Sequence, residues 1–133
     1  MPATYEDKII TKELLDNEHN SYFVFGDNAQ RTGTGGAAKL RHHPRAIGFV
    51  TKKAPDHQSK SSFKPDEYTK PFFDQLDQLE NIIKNNPSKK YYISRLGAGL
   101  ANKYNIWELV IKPNLKQHLA EYDNVVFLWS ENE

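Results

Sequence analysis

The fold is decided by one stretch of the chain, Ser21-Tyr22-Phe23-Val24-Phe25-Gly26-Asp27-Asn28. Its aromatic and β-branched first half predicts a buried strand, and the Gly-Asp-Asn that follows predicts a turn. A glycine-rich segment comes next over residues 33–36, and residues 37–41 (Ala-Ala-Lys-Leu-Arg) then predict the start of a helix. A strand, a glycine loop and a helix in this order are typical of an α/β unit.

The rest of the chain repeats this alternation. Further strands are predicted over residues 46–51, 91–96 and 125–129, and further helices over residues 8–18, from Pro71 to about Asn85, and from Trp107 onwards with a kink or division at Pro113. Residues 54–68 are polar, and we expect them to form a surface loop that is mobile until it closes over a bound ligand. The pattern predicts a single three-layer α/β/α domain with a central mixed sheet over residues 1–133.

Composition excludes several classes of protein. The chain has 133 residues, no cysteine and five histidines without a metal-ligand spacing, so we expect neither a disulfide nor a dedicated metal site. No apolar run approaches the roughly 20 residues that cross a bilayer, and no signal peptide is visible at the N-terminus. These features predict a cytoplasmic protein without a cofactor and without a membrane partner.

Charge is distributed unevenly along the chain. The net charge is only +1, yet residues 28–55 contain no Asp or Glu and six basic residues. Such a segment predicts either a local anion site or a solvated basic face. A broad nucleic-acid surface is disfavoured, because no aromatic residues are interleaved with the basic ones.

Two glycine loops each follow a predicted strand: the first glycine loop, residues 33–38, and the second glycine loop, residues 96–100. Ligands of open α/β sheets bind beyond the carboxyl ends of the strands, where glycine lets backbone N–H groups approach an anion and a following helix adds its positive end. Neither loop is a P-loop or a dinucleotide fingerprint. The pair therefore predicts a phosphate cradle reached from two sides, and the alternative is tight packing without a ligand.

These loops resemble the ligand loops of macrodomains, and most closely those of the branch that includes the terminal ADP-ribose protein glycohydrolase. Small phage and prophage proteins of a macro-like type are also similar. The resemblance follows the chain order from about residue 23 to residue 129. Its motifs are Gly26-Asp27-Asn28, Gly33-x-Gly35-Gly36-Ala37-Ala38, Val50-Thr51-Lys52-Lys53, a helix over residues 72–84, Ser94-Arg95-Leu96-Gly97-Ala98-Gly99-Leu100 and Trp107-Glu108.

The resemblance implies a pocket for ADP-ribose or a related, including cyclic, NAD-derived nucleotide. By position, Asp27 or Asn28 would lie near the adenine or its ribose, the first glycine loop would hold the distal ribose and a phosphate, and the second would cover the diphosphate. The ligand-binding residues it implies are Gly26, Asp27, Asn28, Gly33, Thr34, Gly35, Gly36, Ala37, Arg95, Gly97, Ala98, Gly99, Leu100, Ala101 and Asn102.

The resemblance leaves the activity open. The glycohydrolase branch has an Asp where this chain has Ala101, so an enzyme would depend on Lys52 as its catalytic nucleophile, and an exposed lysine without a role is the alternative. Three functions follow as expectations. They are nucleotide binding with weak ADP-ribosyl hydrolase activity at most, hydrolysis of ADP-ribose from modified protein or nucleic acid, and phage-type sequestration of a nucleotide defence signal.

Three further side chains have open roles. Arg95 is expected either to bind phosphate or to form an ion pair. His42 and His43 are expected to cap the helix that precedes them. His57 lies in the polar loop, where it is able to approach a bound substrate.

Overall fold

The protein is built on one sheet of five strands, seen in a computed structural model that describes residues 2–133 apart from the side chain of Ala37. The strand order is β1-β5-β4-β2-β3, and every pairing is parallel. The strands are β1 (Thr4–Tyr5), β2 (Ser21–Asn28), β3 (Ala46–Lys52), β4 (Lys90–Ile93) and β5 (Val125–Phe127). The predicted α/β class is confirmed. The predicted mixed sheet is wrong, because every connection crosses a face of the sheet before the next strand begins.

Three α-helices and three shorter helical turns form these connections. The α-helices are α1 (Lys12–Asn17), α2 (Pro65–Asn85) and α3 (Lys112–Leu119). The short turns are two 3-10 turns, Gly36–Leu40 and Ser59–Ser61, and a π-helical turn, Trp107–Ile111, that runs directly into α3. The change from π to α geometry at Lys112 confirms the predicted division of the last helix next to Pro113. None of the helices in the described part of the chain has the length and apolarity that a membrane crossing needs.

Helical segments cover both faces of the sheet, which confirms the three layers. Side chains alternate along each strand, so Val24 packs towards α2 and α3 while Phe23 and Phe25 pack towards α1. The α2–α3 side is the larger core, with Phe72, Leu76 and Leu115 among its fully buried residues. The other face is covered by the six residues of α1, by Ile10 in the segment before it and by the 3-10 turn at Gly36–Leu40.

Helix α2 begins earlier than predicted. Pro65 occupies its first turn, and Glu67 Oε1 accepts a hydrogen bond of 2.9 Å from the Lys64 N–H, which fixes the start of the helix. Pro71 therefore lies inside the helix rather than at its first turn. The loop predicted over residues 54–68 is also wrong in extent, since it contains the second 3-10 turn and the first residues of α2.

Other boundaries differ in both directions. Strand β2 runs to Asn28, so the turn predicted at residues 26–28 is wrong, whereas several other elements end sooner than their apolar pattern does. Thr11 Oγ1 caps α1 by accepting from the Leu14 N–H at 3.1 Å, so that helix spans six residues and not residues 8–18. Strands β4 and β5 end at Ile93 and Phe127. The helix predicted from residue 37 is a five-residue 3-10 turn. Strand β1 was not predicted.

Strand β3 lies at an edge of the sheet, and side chains of α2 cover its exposed backbone. Gln75 accepts from the Val50 N–H at 2.7 Å and donates to the Val50 carbonyl at 3.2 Å. The buried Tyr68 hydroxyl donates to the same carbonyl at 2.6 Å, and burial raises the pKa of Tyr68. These bonds close an edge that is otherwise a template for pairing with another chain.

We predict that Gln75→Leu destabilises the protein by about 1–3 kcal/mol, because the Val50 N–H loses its acceptor. Gln78→Leu is the matched control, since Gln78 lies on the exposed side of the same helix. Urea denaturation of both variants measures the difference. Equal midpoints for the two variants would show that the covered edge contributes nothing to stability.

Candidate functional site

A cavity of about 530 Å³ opens at the carboxyl ends of β2, β3 and β4. Strands β2 and β4 are neighbours, but the chain leaves β2 towards one face of the sheet and β4 towards the other. Such a topological switch point is where open α/β sheets bind ligands. We name this space the first cavity. It is lined by Gly26, Asp27, Asn28, Thr32, Gly33, Gly35, Gly36, Ala38, Thr51, Lys52, Pro55, His57, Arg95, Gly97, Gly99, Leu100 and Ala101.

The first glycine loop is shaped by its backbone. Gly33 and Gly36 have φ angles of +90° and +55°, a region that L-residues with side chains rarely adopt. Asn28 supports the approach to this loop, because its Nδ2 donates to the Thr32 carbonyl at 2.8 Å and its Oδ1 accepts from the Gln30 N–H at 3.0 Å. Gly35 has an ordinary φ of −83°, and a Cβ at this position would meet open space.

Asp27 holds the first glycine loop in place through Arg41. The Asp27 side chain is 1% exposed and accepts from Arg41 at 2.6 Å and 2.9 Å, from Arg31 at 3.3 Å and from the Asn28 N–H at 2.8 Å. Gly48 on the neighbouring strand leaves room for it, since a Cβ there would lie 2.4 Å from Asp27 Oδ2. The carboxylate is thus engaged inside the protein, where Asp27 supports the cavity wall.

The second glycine loop packs tightly on the opposite side. Gly97 has a φ of +74°, and a Cβ there would lie 2.8 Å from Ile111 Cδ1 in the π-helical turn. Gly99 has no atom within 4 Å of an added Cβ, so it faces open space. Within residues 2–133, the backbone N–H groups of Gly97, Gly99 and Leu100 have no protein acceptor. They are therefore free to donate to a ligand.

Lys52 forms a third part of the wall at the end of β3. Its Nζ donates to the Asp56 carbonyl, which draws the following turn over the cavity. Ser61 Oγ donates to the Asp56 carboxylate at 2.6 Å and the Gln58 N–H donates at 2.9 Å, and these bonds lower the pKa of the Asp56 carboxyl. The turn is therefore held by several hydrogen bonds without any ligand. The predicted mobility of this segment stays a prediction.

Arg95 stands between the first cavity and a second one. Its guanidinium lies 5.7 Å from the centre of the Trp107 ring, and its Nε lies 3.6 Å from Glu133 Oε2. The second cavity, of about 610 Å³, shares Arg95 and Gly36 with the first and extends under the N-terminal segment. Its apolar wall includes Ile10, Phe23, Leu40 and Leu128.

Most of the predicted site residues meet in the first cavity. Lys52 and eleven others line it: Gly26, Asp27, Asn28, Gly33, Gly35, Gly36, Arg95, Gly97, Gly99, Leu100 and Ala101. Thr34 and Ala98 belong to the two glycine loops but do not line the cavity, and the side chain of Ala37 lies outside the described part of the chain. Thr32, Ala38, Thr51 and Pro55 line it without having been predicted, and so does His57, to which only an approach to substrate was assigned.

Asn102 holds the start of the π-helical turn through its side-chain amide. Its Oδ1 accepts from the Trp107 N–H at 2.9 Å, and its Nδ2 donates to the Glu108 carboxylate at 2.9 Å and 3.2 Å. It caps the π-helical turn and does not line the first cavity. The expected ligand role of Asn102 stays a prediction.

The basic segment is largely occupied by structural contacts. Arg31 and Arg41 pair with Asp27, and Arg45 donates to the carbonyls of Ser21 and Leu15. Lys53 pairs with Glu67 at 3.0 Å. The acidic partners of these basic residues therefore lie outside residues 28–55. An anion in the first cavity would meet backbone N–H groups and the side chains of Lys52 and Arg95.

The histidines after the 3-10 turn do not form a metal site. His43 Nε2 lies 2.9 Å from Asp16 Oδ1, and its Nδ1 accepts from the Arg45 N–H at 3.1 Å, so it joins the turn to α1. Across the part of the chain that the structure describes, no group of three or more His, Asp or Glu side chains is placed to hold a metal ion.

The chain belongs to the Family of unknown function (DUF7831), which its residues 5–104 match. No curated protein and no solved structure matches the chain. The family match covers both glycine loops, Lys52 and the Asp27–Arg41 pair. Every residue that lines the first cavity therefore lies inside the matched region.

We predict that Asp27→Ala lowers the free energy of unfolding by about 3–5 kcal/mol, because it removes one partner of a buried ion pair. Asp27→Asn is the control, since it keeps hydrogen-bonding atoms near Arg41 and should cost less. Urea denaturation followed by circular dichroism measures both. Wild-type stability of Asp27→Ala would contradict the supporting role of this carboxylate.

Proposed function

We propose that this member of a family of unknown function binds ADP-ribose or a closely related NAD-derived nucleotide. One observation carries the proposal: two glycine loops from neighbouring parallel strands face each other across one cavity at a topological switch point. A diphosphate is the ligand group that such an arrangement suits best. The resemblance to macrodomain ligand loops supports the same class of ligand.

The chemistry of the first cavity supports a diphosphate. Its second glycine loop offers three N–H donors, and Gly35 and Gly99 leave open space that a side chain would fill. Backbone N–H groups bind phosphate oxygens well where no Cβ prevents close approach. Lys52 and Arg95 add positive charge at two sides of the same space.

The second cavity supports a ligand larger than a free phosphate. Its wall of Phe23, Leu40 and Leu128 is apolar, and Arg95 and Gly36 border both cavities. A nucleotide joins an aromatic base to a diphosphate through a ribose. We propose that the base occupies the second cavity, the diphosphate lies near Arg95, and a second ribose lies in the first cavity.

Binding is better supported than hydrolysis. Asp27 is the one carboxylate among the described residues that line the first cavity, and it is engaged by Arg41. Hydrolysis of a glycosidic bond needs a general acid or base, which typically contributes 10²–10⁴-fold. Ala101 occupies the position where the similar glycohydrolase branch has Asp.

The position of Lys52 supports hydrolysis as the second candidate function. Its amine lines the first cavity, and a deprotonated lysine is able to attack the anomeric carbon of a bound ADP-ribosyl group, forming a C–N bond while the bond to the carrier breaks and the carrier leaves. In the structure this amine donates to the Asp56 carbonyl, and a covalent role requires that it first lose a proton so that its lone pair is available. Binding without efficient turnover also suits the sequestration of a nucleotide signal. Assays of ADP-ribose release from modified protein and from modified nucleic acid distinguish the two candidate hydrolase substrates.

We predict that Gly35→Val and Gly99→Val each weaken ADP-ribose binding by more than about tenfold, or about 1.4 kcal/mol. The new side chains would project into open space where the ligand lies, so the fold should be retained. Titration calorimetry with ADP-ribose, cyclic ADP-ribose isomers, NAD and AMP measures affinity and ranks the ligands.

The control is Gln78→Val on the exposed side of α2, remote from both cavities. It should bind as the wild type does. Heat release by none of these nucleotides with the wild-type protein would refute the proposed function. Wild-type affinity in both glycine variants would place the ligand elsewhere.

A further inference from the structure

We infer that Arg41 is a positioning residue that turns the N–H groups of Gly33 and Thr34 towards the ligand's phosphate. The inference rests on the proposed function and names a residue that stands behind the wall of the first cavity. Arg41 would act on binding through the backbone that it holds and not by touching the ligand.

Arg41 is held by four hydrogen bonds that leave it little freedom. Its Nη1 and Nη2 donate to Asp27 at 2.9 Å and 2.6 Å, its Nε donates to the Gly33 carbonyl at 2.7 Å, and its Nη2 also donates to the Thr32 carbonyl at 3.0 Å. The side chain is only 11% exposed. The guanidinium is therefore a rigid bridge between the end of β2 and two consecutive peptide units of the loop.

The direction of these two carbonyls fixes the direction of the next two N–H groups. In a planar trans peptide, the N–H points away from the carbonyl of the preceding residue. Because the carbonyls of Thr32 and Gly33 point at Arg41, the N–H groups of Gly33 and Thr34 point to the side opposite Arg41. Among the described residues neither N–H has a protein acceptor.

Two successive N–H groups that converge around a residue with positive φ form a concave anion site. Gly33 has a φ of +90° and lines the first cavity, as Thr32 does. The geometry therefore gives the first glycine loop one donor on the cavity wall, at Gly33, and a second one next to it, at Thr34, in addition to the donors of Gly97 and Gly99 in the second loop. A diphosphate would be held between donors from both loops.

Only arginine satisfies this arrangement. Its planar fork engages both carboxylate oxygens and still has donors for two carbonyls, whereas lysine is a point charge with three donors on a flexible stem. Arg31 offers a matched comparison, since it also pairs with Asp27 but sends its other bond to the Gly48 carbonyl at 2.9 Å, away from the loop.

The test follows backbone amide signals by NMR while ADP-ribose is added to the wild type, Arg41→Lys and Arg31→Lys. In the wild type, the amide protons of Gly33, Thr34, Gly97 and Gly99 should all move. In Arg41→Lys, affinity should fall by about tenfold or more, and the shifts of Gly33 and Thr34 should disappear while those of the second loop remain. Arg31→Lys should match the wild type within about twofold, and urea denaturation should show how far each variant is destabilised.

The outcomes separate the two proposals. Shifts in the second loop without shifts of Gly33 and Thr34 in the wild type would overturn the role of Arg41 and leave nucleotide binding intact. Wild-type affinity in Arg41→Lys would do the same. If Arg41→Lys does not fold, the wild-type shifts of Gly33 and Thr34 decide whether the N–H groups that Arg41 holds face the ligand. No shift at any of the four amides would overturn nucleotide binding between the two glycine loops, and the positioning role with it.

Discussion

The ion pair between Asp27 and Arg41 is the interaction on which the site depends. It joins residues 14 positions apart, from the end of β2 to the residue after the 3-10 turn, and it is almost fully removed from solvent. A buried pair of this kind gives little net stability, because desolvation offsets much of its Coulomb energy. Its effect is geometric: it sets the path of the first glycine loop. Gly48 is required beside it because any side chain would occupy the space of the carboxylate.

The parallel sheet supplies the second constraint. Parallel strands bring the carboxyl ends of β2, β3 and β4 to one edge, so two loops far apart in sequence become neighbours. The chain then leaves β2 and β4 towards opposite faces, which opens a gap that no helix fills. The cavity is therefore a consequence of the topology, while its shape follows from the glycines and from Arg41.

The sequence located the two glycine loops better than the contacts that support them. The two glycine loops were identified because glycine patterns after strands are local signals, and the structure brings them to one cavity. The roles of Asp27 and Asn102 were not predicted, since their partners, Arg41 and Trp107, are set by tertiary structure. Strand direction is equally non-local, which explains why a mixed sheet was expected. A 3-10 turn forms in place of the predicted α-helix because the segment is short. The turn has five residues, begins at the positive-φ Gly36 and is followed closely by Pro44.

The central claim is that the two glycine loops together hold the diphosphate of a nucleotide. A crystal structure of the wild-type protein with ADP-ribose tests it most directly. The account predicts diphosphate oxygens within about 3.2 Å of backbone nitrogens of both loops, Gly33 on one side and Gly99 on the other. It also predicts the base against Phe23 and Leu40 in the second cavity. A nucleotide bound elsewhere, or one whose diphosphate touches neither loop, would contradict the account.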